Sequence, residues 1–288
     1  MHAHHYRQYL EHARPRRQAL VNSGANARPE VMAHLSLYAG VPPRQRRPTC
    51  PSPALIPQTG YYLGNLSSPL GPQSWRSILR SAHSAVAAAN AMIAGLDKAY
   101  ALYRPSGHHA HWGRASGFCY VNTCAAKRLA SHFGRVAVLD VDAHHGDRTQ
   151  NIFYDRSDVL TVSVHAETSS YFPLYTGYAH ESGTGAGEGF NLNLPLAHGS
   201  GNPEFLKAVE YGLDVVRRFK PAALVLALGF DTYKGDPISA LKVDFDAYLE
   251  IGRKVRVLSL PLVVVQEHGH PVEAIGSGLE AILEGLND

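Results

Sequence analysis

The sequence has only three cysteines, Cys50, Cys119 and Cys124, and no CxxC pair. That odd, scattered set argues against a disulfide framework and against a thiolate zinc site, and points to reduced, mostly buried thiols. Long apolar runs are missing too. None approaches the roughly 18 residues that a membrane-crossing helix requires, and the opening "MHAHHYRQYL" lacks the apolar segment of a secretory leader. A soluble, cytoplasmic protein with no membrane partner is expected. Charge is sparse, at 18% of residues with a net of +3. The first 50 residues nevertheless carry eight arginines against two glutamates, which leaves the remainder at −3. Such a patch can meet an anionic partner, but no interleaved aromatics or nucleic-acid-binding motif accompany it. A solvated basic surface is the expectation, and nucleic acid is not an expected partner.

What is present is enough apolar material, 45% of 288 residues, to bury a sizeable core as one domain spanning 1–288. Residues 3–18 suit a polar helix, and 22–73, with "GVPPRQRRPTCPSP", suit a long Pro- and Arg-rich loop. From Ser74 a helix begins behind a serine cap, with Ile78, Ala82, Val86, Ala89 and Ile93 at helical spacing. Apolar strands then alternate with helical stretches: "AYALYR", "RVAVLDVD", "VLTVSVH", "AALVLALGF" and "PLVVVQE", separated by helices near 119–133, 203–219, 245–258 and 273–286. Strands apolar on both faces, interleaved with helices, imply an α/β domain whose mainly parallel sheet is covered on both sides.

Four polar clusters follow four of these strands: "RPSGHHAHWG", "DVDAHHGD", "FDTYKGDP" and "EHGHP". Carboxyl ends of parallel strands are where open α/β sheets place a ligand crevice, so one site is expected to gather all four. If the backbone stays extended to residue 144, Asp140, Asp142 and His144 point the same way. Two carboxylates and an imidazole with no lysine or arginine beside them in sequence repel one another unless a cation joins them. Asp231, after a separate strand, is the candidate third ligand with Asp142 and His144, in a set that leaves one coordination position open. The adjacent His108 and His109 are candidate proton carriers near neutral pH. A helix is expected to begin at "GFCYVN", from Gly117. His111, Trp112 and His165 read as packing or surface residues, and "SGTGAGEG" at 182–189 as a flexible loop, because it lacks the GK[ST] ending of a phosphate loop.

Taken in order, "RPSGHH", "GFCYVN", "LDVDAHHGD", "LTVSVH" and "LGFDTYKGDPIS" closely resemble the histone deacetylase and acetylpolyamine amidohydrolase superfamily over about residues 60–285. "GYYLGNLSSPLGPQSW" and "GDPIS" are more similar to its bacterial acetylpolyamine amidohydrolase branch. The resemblance implies an arginase-like α/β fold and hydrolysis of an amide in a small or peptidic acylated amine. It implies zinc on Asp142, His144 and Asp231, with ferrous iron as the competing metal for such an oxygen-rich site. It implies potassium on Asp140 and Ser163 with carbonyls of Asp142, His144 and Val164. It implies His108 and His109 as the active-site histidines, Asp140 and Asp147 as their acidic partners, and His109 as the group that takes the proton of the attacking water and returns one to the leaving amine. Phe118 and Phe172 correspond to the walls of the acyl channel, and Gly117 and Gly269 to positions that meet the substrate. A homodimer is compatible with the resemblance.

The family's fifth cluster normally reads "EGGY", its tyrosine bonding the developing oxyanion. Here it reads "EHGH", with His270 at the tyrosine position and His268 at a glycine. Losing one oxyanion donor typically costs about 100- to 1,000-fold in turnover. The favoured reading is a hydrolase whose substrate or whose His270 compensates. The alternative is a metal-containing module that binds acylated amines with little turnover. An arginase-like ureohydrolase ranks last, because "FDTYKGDP" lacks the paired DxD that a second metal would need. The opening "HAHHYRQYLEHA" resembles a family segment ordinarily preceded by several dozen residues.

Overall fold

The structure, a computed structural model, describes residues 53–54, 60–65, 67–111, 113–122 and 124–288. The expected helix over 3–18, most of the loop over 22–73, the basic N-terminal stretch and Trp112 lie outside the described residues. The chain divides into two compact units, Met1–His83 with Tyr103–Asn122, and Ser84–Leu102 with Thr123–Asp288. A helix, α1 (Ser74–Ile93), runs across their sequence boundary. Its buried positions are Ile78, Ser81, Ala85, Ala88, Ala89 and Met92, so the inward face is turned from the expected one, and Ala82, Val86 and Ile93 are only half-buried.

The larger unit is built on six parallel strands, β1 (Lys98–Ala101), β2 (Val136–Asp140), β3 (Val159–Ala166), β4 (Asn191–Leu196), β5 (Ala223–Leu228) and β6 (Leu262–Gln266). Their order across the sheet is β1-β6-β5-β2-β3-β4. Every residue of β2, β3, β5 and β6 is buried. Since successive side chains point to opposite faces, both faces of the central sheet are covered, as the uninterrupted apolar runs require. Helices α2 (Cys124–Phe133), α3 (Asp147–Phe153), α4 (Asn202–Phe219), α5 (Phe245–Arg256) and α6 (Val272–Asn287) connect the strands and close the sequence. α4 packs on β2, β3 and β4, and α2 on β2 and β5.

β4 and the segment before it depart from the sequence reading. β4, "NLNLPL", has no apolar run because its buried positions are Asn191 and Asn193, whose amides donate to Gln150 Oε1 at 3.0 and 2.8 Å. Its Pro195 is tolerated because β4 is an edge strand. The preceding 182–189 segment, expected to be a flexible loop, is held by backbone bonds, among them Thr184 N–H to Tyr154 O at 2.9 Å and Gly189 N–H to Ser182 O at 2.7 Å.

The strand order sets the location of the site. The chain moves from β2 outward to β3 and β4, then returns to place β5 on the other side of β2. The exits of β2 and β5 therefore flank the point where the winding reverses, the expected position of a ligand crevice.

Candidate metal centre

Extended backbone stops at Asp140, the last residue of β2, so alternation along a strand does not align Asp142 and His144 as expected. Side chains do it instead. Asp140 Oδ1 accepts the Asp142 N–H at 3.1 Å, and Asp142 Oδ1 accepts the His144 N–H at 2.9 Å. Two successive i to i+2 bonds of this kind curl the exit of the strand, which is why short acids rather than longer ones occupy it.

Asp231 reaches the same point from the exit of β5. Its Oδ1 accepts the Ala143 N–H at 2.8 Å and its Oδ2 lies 2.7 Å from His144 Nδ1, which also stands 3.2 Å from Asp142 Oδ1. The approach is allowed by Gly229, where a Cβ would sit 2.3 Å from Asp142 Oδ2 and 2.7 Å from its Cα. A third segment arrives from β6: the His268 N–H donates to Asp142 Oδ2 at 3.0 Å, and His268 Nδ1 is 3.2 Å from the same oxygen. The ligating atoms of Asp142, Asp231 and His268 all lie within 4.8 Å of one another. Both carboxylates are wholly buried, and both imidazoles nearly so.

Burial alone would strip His144 of its proton. The Asp231 charge and the hydrogen bonds to Asp142 and Asp231 outweigh that, and its pKa is raised to about 10. Burial, then the charge of Asp142, push Asp231 upward, against the pull of His144. Two desolvated carboxylates thus draw a positive charge into the space between them. A divalent ion fits that demand better than a proton, because both carboxylates and an imidazole nitrogen already converge, and hard oxygen with imidazole nitrogen suits zinc or ferrous iron. The His144 ring is fixed from outside by Tyr171, stacked at 4.6 Å between centroids with planes 12° apart. The Tyr171 hydroxyl donates to Ile238 O at 2.7 Å.

The residues expected to hold a monovalent cation share this end of the sheet. Asp140 and Ser163 are register partners on β2 and β3, Val164 follows in β3, and all three are buried with Asp142 and His144. Ser163 Oγ lies 2.9 Å from His165 Nδ1, and His165 Nε2 lies 3.0 Å from Gly177 O, so His165 is a bonded core residue as expected. Asp147 opens α3 with Oδ2 within 2.7 Å of Arg148 Nε, an ion-pair distance without hydrogen-bond alignment.

His270 is anchored by Asp236, whose Oδ2 accepts the His270 backbone N–H at 2.9 Å and faces Nδ1 at 3.0 Å. That bond outweighs burial and raises the pKa of His270. Gly269 packs where a Cβ would come 2.9 Å from Phe230 Cβ. Phe172, 36% exposed, has its ring centroid 6.1 Å from that of His144.

In the smaller unit His108 and His109 are both buried, their rings 4.0 Å apart and tilted by 42°. The Gly107 carbonyl there accepts from Asn122 Nδ2 at 3.2 Å and from the Ala110 N–H at 2.9 Å. The helix expected from Gly117 does not start there. Gly117 and Phe118 have φ of 50° and 59°, a left-handed pair that turns the chain, and α2 begins only at Cys124. The Gly117 N–H donates to Asn65 Oδ1 at 3.2 Å, and the Phe118 side chain is left 46% exposed. Cys119 is wholly buried.

Two residues at the centre were given no role from sequence. His268 was visible only as a departure from a glycine, and Tyr171 only as the neighbour of Phe172. A histidine two positions from another after an apolar strand is the one signal that pointed at the first.

A family model described as the histone deacetylase domain matches residues 1–286. An acetylpolyamine amidohydrolase of Burkholderia pseudomallei is 44% identical over 234 residues, 81% of this chain and 69% of its own length. Acetylpolyamine amidohydrolase 1 of Pseudomonas aeruginosa is 42% identical over 248 residues, 85% of this chain and 72% of its own length. The crystal structure of an acetylpolyamine aminohydrolase from Burkholderia pseudomallei superimposes with a TM-score of 0.88 at 39% identity, covering 98% of this chain and 80% of that one.

Proposed function

The chain belongs to the histone deacetylase family, and on that premise we propose that it hydrolyses the amide bond of an acylated amine, with acetylated polyamines as the leading substrates. The observation that carries the reading is the buried convergence of Asp142, His144 and Asp231 from the exits of β2 and β5. These three would hold a divalent ion, with zinc or ferrous iron suited to such a donor set. When bound, that ion polarises the acyl carbonyl and makes a neighbouring water more acidic.

The chain's own residues do the rest. His109 takes a proton from the attacking water and delivers one to the departing amine, and His108 is its partner. Asp140 and Asp147 are the acidic partners that the resemblance assigns to these imidazoles, a role in which a carboxylate sets orientation and basicity. Phe118 and Phe172 are the aromatic residues that the resemblance assigns to the acyl path, and Gly117 and Gly269 those that it assigns to the substrate amide. Asp140 and Ser163, with the carbonyls of Asp142, His144 and Val164, are the groups that would hold potassium. His270, biased toward its cationic form by Asp236, is the residue that would supply a donor to the carbonyl oxygen in place of the family's tyrosine. The family match across 1–286 supports one domain as the working unit.

The test is acetate release from N-acetylputrescine and from a fluorogenic acyl-lysine, with metal stripped and restored. Hydrolysis is expected to vanish with chelation, return with one equivalent of zinc, and disappear in Asp231→Asn. Unchanged rates after chelation overturn the reading. Tight binding of the acylated amine without acetate release identifies a binding module instead, and two manganese ions per chain identify a ureohydrolase-like centre. Sedimentation of the full chain tests for a homodimer.

A further inference from the structure

The imidazole of His268 stands where the two acids already gather, and it arrives on a third segment, the exit of β6. We propose that His268 is a fourth protein donor to the divalent ion held by Asp142, His144 and Asp231. The proposal rests on the reading that those three residues bind such an ion.

The spacing supports it. Donors about 2.0 Å from a tetrahedral ion lie about 3.3 Å from one another. Asp142 presents one oxygen to each imidazole at that separation, Oδ1 to His144 Nδ1 at 3.2 Å and Oδ2 to His268 Nδ1 at 3.2 Å. The two rings stand nearly perpendicular, 77° apart with centroids 6.4 Å apart, and so flank Asp142 rather than stack. The backbone fixes the position: the His268 N–H is bonded to Asp142 Oδ2 at 3.0 Å, and the Glu267 N–H to Leu228 O at 2.8 Å. At 8% exposure His268 is not a surface residue that swings in from solvent.

A site of two carboxylates and two imidazoles is closed in the manner of structural centres, whereas a hydrolytic centre keeps one position open. His268 therefore strengthens metal binding and restrains turnover together. Affinity and activity should move in opposite directions when its side chain is removed, an outcome that a mere orienting hydrogen bond does not produce.

The experiment compares wild type, His268→Ala, His268→Gln and Asp231→Asn, each loaded with zinc alone. Competition with a chromophoric chelator reads affinity, and X-ray absorption counts imidazoles on the ion. Losing a partner that only orients a ligand costs about 10- to 100-fold in affinity, so loss of a donor should cost at least as much. Two imidazoles are expected in wild type and one in both His268 variants, with faster acetate release per zinc-loaded molecule in His268→Ala. The same imidazole count in wild type and His268→Ala, with Asp231→Asn still losing zinc, overturns the fourth donor and leaves the metal reading intact. No stoichiometric zinc in wild type, or retention in Asp231→Asn, overturns the metal reading itself.

Discussion

At the scale of single residues, the centre depends on positions that carry no chemistry. Gly229 is the clearest: a methyl group there has nowhere to go but into Asp142. Gly229→Ala is expected to weaken zinc binding by at least about 10-fold, comparable with the loss of an orienting partner, and to cost about 1–3 kcal/mol of stability through overpacking. Chelator competition and urea unfolding of the same sample measure both. Asp236 makes a different prediction. Burial works against its ionisation, but the bonds from the His270 ring and from the Ile238 and His270 amides prevail, and its pKa is lowered. A carboxyl depressed in the folded state stabilises above its unfolded value, about 3.9, and that contribution fades as pH falls through the folded value. Asp236→Asn should therefore lose less stability than wild type between pH 5 and pH 3, below the range in which His270 titrates in the unfolded chain, in urea titrations. The convergence of Asp142, His144 and Asp231 was legible in the sequence because acids and histidines at the end of an apolar strand need a reason to be there. Gly229 was not, because its meaning lies in an approach across space, and His268 was not, because one imidazole away from the main cluster reads as a departure rather than as a donor.

At the scale of elements, the strands with continuous apolar runs and the helices between them could be read directly, since burial on both faces leaves a compositional trace. β4 hid because its inward positions are asparagines serving the Gln150 network. The start of α2 was misplaced because Gly117 and Phe118 spend a turn in left-handed geometry that apolar content does not report. Contacts between elements are legible only where a small residue hints at them. α5 and α6 meet backbone to backbone: a Cβ on Gly285 would lie 2.1 Å from Leu249 O, and one on Gly252 2.5 Å from Ile282 O. Gly285→Ala has to push the helices apart, at a cost of about 1–3 kcal/mol or more. Its urea midpoint should fall while zinc per folded molecule stays at wild-type level, because neither helix carries a proposed ligand.

At the scale of the whole molecule, metal and fold are linked. An ion that binds only the folded chain adds about 2.7 kcal/mol when present at 100 times its dissociation constant. Zinc should accordingly raise the thermal midpoint of wild type, and Asp231→Asn should show no such rise. No helix among the described residues is long and apolar enough to cross a membrane. The strand order adds a consequence in time. Asp142 follows β2 and Asp231 follows β5, and the two strands become neighbours only when the later one is laid beside the earlier. A nascent chain halted before β5 emerges from the ribosome owns only one of the two proposed acidic ligands, so capture of the proposed ion would report that the middle of the sheet has been closed.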